Sequence, residues 1–134
     1  MQFLLEKLPP KIISPKTHHV LDYLTMGAFF AMGAIWWKRR RRAAIAALAN
    51  GAFVAVYTPL TDYEGEGKKP ISFQTHADLD RIQAGMAALA PAMLRFSDDP
   101  SAHFFHGQAL NETVVIGMTD FRPRRKRLWQ KIAA

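Results

Sequence analysis

Two histidine–aspartate pairs carry most of the chemistry open to this chain. His18 and Asp22 are four residues apart, and His76 and Asp80 repeat that spacing 58 positions later. Four residues is little more than one helical turn, so each pair occupies one face of a helix. Such a set can serve either of two ends. Imidazole nitrogens and carboxylate oxygens together suit a divalent metal. Alternatively the histidines and aspartates pair with each other as hydrogen-bonded ions, with Thr17 and Thr75 as N-caps of the two helices. Asp62 and Asp120 share the same 58-residue offset and are expected near the same level. T-H-x-x-x-D is not a recognised metal signature, so the favoured expectation is a structural cluster with no cofactor. A divalent metal held among His18, Asp22, His76, Asp80, Asp62 and Asp120 is the alternative.

Other polar groups carry weaker signals. His103 and His106 lie in the turn into the last helix, where solvent or interface positions are expected rather than haem or metal ligation. Glu112, in mid-helix, forms a polar stripe with Gln108 and Asn111. Asn50 stands at the repeat position of Gln108, so these two are expected to meet across the bundle. The chain has no cysteine, which excludes disulfides, thiolate metal sites and cysteine nucleophiles. There is no Gly-rich phosphate loop, no G-x-S-x-G and no H-E-x-x-H. No nucleophile stands with an oriented base, and no enzymatic activity is expected.

The elements that position these residues are themselves repeated. Lys11, Ile13, Ser14, Thr17, Leu21 and Gly27 recur as Lys69, Ile71, Ser72, Thr75, Leu79 and Gly85, and Thr61-Asp62-Tyr63 recurs as Thr119-Asp120-Phe121. An ungapped offset of this kind marks duplication of one structural unit. One domain is expected over 1–134, with repeat 1 at 11–63, repeat 2 at 69–121 and a basic C-terminal tail at 122–134. Val20 to Trp37 carries a single charge, Asp22, and Ala43 to Leu60 carries none. The second repeat is more polar, with helices expected at about 76–96, interrupted by Pro91, and at about 102–121. The fold class is therefore all-α: a four-helix bundle of two tandem helical hairpins. Gly27, Ala31, Ala34, Gly85, Ala88 and Ala92 are expected to allow close helix packing.

Each of the two apolar stretches is about long enough to cross a bilayer at ~1.5 Å per residue. Trp36 and Trp37 beside the run Lys38 to Arg42 also suit a membrane interface, with Trp129 expected at the other. Membrane embedding is therefore expected. The formal charge of +7 is concentrated in that run and in Arg122 to Lys131. An even number of crossings puts both termini and the middle loop on one side. Their Lys and Arg outnumber Lys38 to Arg42 and Arg95 opposite, which points to cytoplasmic termini. No N-terminal signal peptide is evident, since Met1 to Leu8 is short and carries Glu6 and Lys7.

Several spaced residues resemble a known family. H-x-x-L-D-Y (His18, Leu21, Asp22, Tyr23), L-T-D-Y (Leu60 to Tyr63) and K-x-I-x-F-x-x-H (Lys69, Ile71, Phe73, His76) are similar to SPW-repeat membrane proteins, small bacterial proteins of two helical hairpins. The resemblance covers about residues 16 to 121. The Ser-Pro-Trp of the name is replaced by Ala90-Pro91-Ala92 in the second repeat and by Met32-Gly33-Ala34 in the first. The resemblance implies a bacterial inner-membrane protein and no particular activity. The expectation is a structural or accessory protein whose partners are membrane lipids and other membrane subunits. A metal- or cofactor-binding membrane protein is the first alternative. A soluble basic bundle binding nucleic acid is the second, disfavoured because no recognition helix or stacking motif accompanies the charge.

Overall fold

The computed structural model describes residues 10–122. Its helices are α1 (Pro15–Trp36), α2 (Arg41–Tyr57), α3 (Phe73–Met93) and α4 (Ala102–Met118), and two short strands, β1 (Thr61–Asp62) and β2 (Ile71–Ser72), precede α3. α1 packs on α2, α3 on α4, and α2 on α3. The arrangement is compatible with a four-helix bundle.

α1 and α3 start alike because the residues before them are alike. Ser14 and Ser72 are the N-caps, accepting hydrogen bonds from the backbone N–H of Thr17 and Thr75. The expectation that Thr17 and Thr75 cap is corrected. Both lie inside the first turn, and their hydroxyls accept from the serines. Capping at Ser14 and Ser72 puts His18 and His76 one turn into their helices.

Two parallel pairings close the same end of the molecule. Thr61 lies opposite Ile71 and Asp62 opposite Ser72 in the β1–β2 ladder. At the repeat-related place, Ile13 bridges Thr119, supported by Ile13 N–H to Met118 O and Asp120 N–H to Ile13 O, both 3.0 Å. The end of α2 is thereby fixed beside the start of α3, and the end of α4 beside the start of α1.

The interior has two parts. Towards the α1–α2 and α3–α4 turns it is apolar: Phe29, Trp36, Phe96 and Phe105 pack with Ala43, Ala44, Ala47, Ala87 and Ala90. Towards the strand end it is polar, and His18, Asp22, His76, Asp80, Gln83 and Asn50 are all buried. Close approach of α1 and α2 occurs where a methyl group at Gly33 would sit 2.5 Å from Leu48 and one at Gly51 3.2 Å from Phe29. Gly27 and Gly85, expected to make such contacts, have nothing within 4 Å of the corresponding position.

The expected membrane embedding, and with it the inner-membrane location with cytoplasmic termini, is overturned. Among the described residues no helix is long and apolar enough to cross a membrane. The apolar stretches and the helices do not coincide. α1 takes in Lys16, His18, His19 and Asp22, whereas α2 starts with Arg41 and Arg42 and has only 17 residues, about 26 Å at the helical rise. α4 is equally short and contains Glu112, and α3 contains Asp78, Asp80 and Arg81. Val20 to Trp37 looks continuous in sequence because outward positions such as Leu24 and Ile35 are apolar as well as inward ones such as Phe29. Trp36 is no interfacial anchor: it is buried against Phe104 and Phe105. The expectations for Trp129 and for the basic tail beyond Arg122 fall outside the described residues.

Candidate metal centre

The helix starts bring four ionisable side chains to one buried place. His18 and Asp22 come from α1 and His76 and Asp80 from α3, and none is more than 4% exposed. Each histidine contacts the aspartate of the other helix more closely than its own. His18 Nε2 is 2.9 Å from Asp80 Oδ2 and 3.3 Å from Asp22 Oδ1. His76 Nε2 is 3.0 Å from Asp22 Oδ2 and 3.2 Å from Asp80 Oδ1. One ligand atom from each of the four lies within 4.8 Å of every other.

The far side of each imidazole is held by a threonine. His18 Nδ1 is 2.8 Å from Thr119 Oγ1, and His76 Nδ1 is 2.8 Å from Thr61 Oγ1. A hydroxyl has one hydrogen to give. Thr119 donates its hydrogen to Val115 O at 2.6 Å and Thr61 to Tyr57 O at 2.7 Å. Both threonines therefore accept from the rings, and both histidines carry a proton on Nδ1. Nε2, facing the carboxylates, is left to hold a second proton or a metal.

The carboxylates are also held. Tyr63 donates to Asp22 at 2.6 Å and Tyr57 to Asp80 at 2.7 Å. Phe73 and Phe121 pack edge-on to His18 at 5.3 and 5.4 Å between ring centres. Tyr57 and Tyr63 each lie 4.9 Å from the His76 ring.

With protons in place the cluster is two cations against two anions. Burial would lower the pKa of His18, but hydrogen bonds to Asp22 and Asp80 and their charges outweigh it and raise the value to about 9. For His76 burial is likewise outweighed by the adjoining oxygens of Asp22 and Asp80, and its pKa is raised. Burial would raise Asp22, yet the two histidines bring it down to about 2, and Asp80 is lowered for the same reason. The pairing is nevertheless incomplete. Among the described residues His76 Nε2, on a fully buried ring, makes no aligned hydrogen bond: the Asp22 and Asp80 oxygens at 3.0 and 3.2 Å lie off its N–H direction.

The other candidates lie elsewhere. Asp62 accepts from the amides of Glu66 and Gly67 and organises the loop between the repeats, where Gly65 and Gly67 take left-handed backbone. Asp120 pairs with Arg122 at 2.7 Å. Neither joins the cluster, because the strand pairings direct these residues away from it. His103 and His106 are exposed at the start of α4. Asn50 accepts from Gln83 at 3.0 Å rather than meeting Gln108. Glu112 is buried and accepts from Thr25 at 3.1 Å. Burial, with repulsion from Asp80 and Asp22, raises its pKa to about 7.

Sequence reasoning assigned no role to Thr61, Thr119, Tyr57 or Tyr63. The repetition of Thr61 and Thr119 was a usable signal. Tyr57 gave none, since Val115 occupies its repeat position. No family model, curated protein or solved structure matches this chain.

Proposed function

We propose that this protein binds one divalent metal ion through His18, Asp22, His76 and Asp80, and that the ion locks α1 to α3. The observation that carries this reading is the buried Nε2 of His76, 3.0 and 3.2 Å from two carboxylate oxygens yet aligned with neither, beside a second imidazole. A metal–nitrogen bond would replace this misaligned contact. The supporting contacts are those metal ligands need: a hydroxyl acceptor on each Nδ1–H and a phenol on each carboxylate. Two neutral imidazoles, two carboxylates and an M²⁺ ion sum to zero charge, as does the doubly protonated cluster. Binding is then an exchange of one ion for two protons, which suits a buried site. Two nitrogens and two oxygens in a closed set favour a zinc-like ion in a structural role.

We also infer that the chain is a duplicated hairpin. The Ser14 and Ser72 caps, the Thr61–His76 and Thr119–His18 contacts and the crossed His–Asp pairs all recur at the repeat offset. The likeness to SPW-repeat proteins is kept as a proposal of shared hairpin architecture.

A second reading rests on the 2.9 Å hydrogen bond between His18 Nε2 and Asp80. On it the cluster is an ion-pair clamp in a structural or accessory protein. Elemental analysis of purified protein separates the two. The metal reading expects one equivalent per chain, lost in His18→Ala, and a lower melting temperature on chelation. Metal content no higher than in His18→Ala, with melting indifferent to chelator, would leave the clamp.

A further inference from the structure

The turns at the other end of the helices carry a second, unlike group of charged residues. The α1–α2 turn carries Lys38-Arg39-Arg40-Arg41-Arg42, and Arg95 follows α3. Arg39 to Arg42 and Arg95 line one concavity of about 580 Å³ together with Asp98 and Asp99. That volume lies within the range of small-ligand pockets, about 300–1,000 Å³.

Its charge is only partly balanced. Arg40 pairs with Asp99 at 3.3 Å. Arg41 donates to Trp37 O at 2.7 Å and lies 4.0 Å over the Trp37 ring, which orients it without neutralising it. Among the described residues Arg42 reaches only a backbone oxygen, that of Arg95. Five arginines against two aspartates leave an excess of three positive charges among the described residues that line the concavity. The start of α2 adds to it, because its N-cap, Arg40, makes no side-chain capping bond. Ser101 is 4% exposed and also lines the concavity.

Arg95 is the most telling residue. Phe96 N–H bonds to Pro91 O at 2.8 Å and Arg95 N–H to Ala92 O at 3.4 Å, which closes α3 as a Schellman turn. The residue at its left-handed position is normally glycine. Here it is Arg95, with φ of 59°. A bulky side chain held in that region is strained, and such strain concentrates at functional sites.

We propose that this concavity binds a small ligand carrying two linked phosphate groups. A diphosphate matches the excess charge, and guanidinium forks pair with phosphate oxygens bidentately. The five arginines line one hollow instead of following a stripe, and Asp98 and Asp99 line it with them. A nucleic-acid backbone or a flat lipid surface would meet those carboxylates. A compact ligand can seat among the arginines.

The test is calorimetric titration of the full chain with inorganic pyrophosphate at physiological salt. Metal-free protein is used, so that pyrophosphate cannot act merely as a chelator. Saturable one-to-one binding is expected, at least about tenfold tighter than for orthophosphate, because the second phosphate adds further charge-assisted bonds. Arg95→Gly should weaken it about tenfold or more without lowering the melting temperature, because glycine relieves the backbone. Arg42→Gln should weaken it similarly. Pyrophosphate binding no tighter than orthophosphate, or unchanged in both variants, overturns the proposal. So does binding to phosphatidylglycerol vesicles that pyrophosphate does not compete away, which would assign the arginines to a lipid surface.

Discussion

His18 Nδ1 lies 2.8 Å from the hydroxyl of Thr119, a residue 101 positions away. Thr119 sits at the end of α4, and its hydrogen is already committed to Val115 O. The contact therefore fixes the protonation of the imidazole as well as its place, and Thr61 does the same for His76. Two hydroxyls at helix ends decide what the inner faces of two histidines can hold.

Removing one of them should show this. Thr119→Val keeps the shape and deletes the acceptor, so the His18 Nδ1–H is left buried and unpaired. Zinc affinity, measured by competition with a chromophoric chelator, should fall by about 10–100-fold, the usual effect of losing a supporting contact to a ligand. Stability of the metal-free chain should fall by about 1–3 kcal/mol. Unchanged zinc affinity in Thr119→Val would dissociate the threonine from the centre.

The metal-free protein should have a marked alkaline weakness. The folded pKa of His18, about 9, exceeds its unfolded value of 6.5. Its contribution is therefore complete below 6.5 and is lost as pH rises through 9, a change on the order of 3 kcal/mol. Asp22 behaves oppositely: its folded value of about 2 lies below 3.8, so its contribution is lost as pH falls through that interval. Urea midpoints measured across pH should decline on both sides. Saturating zinc should flatten the alkaline decline, because Nε2 no longer titrates once it bears a metal.

Glu112 should act in the reverse sense to an ion pair. Burial raises its folded pKa to about 7 from 4.5. It therefore favours folding below 4.5 and opposes it increasingly as pH rises through 7. Glu112→Gln keeps an acceptor for Thr25 and removes the ionisation. At pH 8 the variant should be more stable than the parent by on the order of 3 kcal/mol, and near pH 4 the two should be alike. Equal urea midpoints at both pH values would place Glu112 in a more solvated site than its 5% exposure implies.

The cluster was legible because its residues repeat. His18, Asp22, His76 and Asp80 share both an offset and a helical face, and periodicity transmits that directly. Asp62 and Asp120 share the offset too, but their backbone leaves the helices into parallel pairings, and direction after a helix end is not a periodic property. The supporting ring was half visible. Thr61 and Thr119 recur, whereas Tyr57 reaches Asp80 from a position whose repeat counterpart is Val115. The membrane expectation failed for a different reason. Hydropathy averages inward and outward positions alike, so Phe29 in the core and Leu24 outside read as one span. It also carries no record of where helices end: Pro15 and Arg41 start them among charges.

Diffraction at the zinc absorption edge, on crystals grown or soaked with zinc, locates the ion directly. If His18, Asp22, His76 and Asp80 bind a metal, one strong anomalous peak is expected between α1 and α3, bonded at about 2.0–2.2 Å to Nε2 of His18 and His76 and to one oxygen each of Asp22 and Asp80. Peaks confined to exposed His103 and His106, with the four buried side chains still paired to one another, would contradict it.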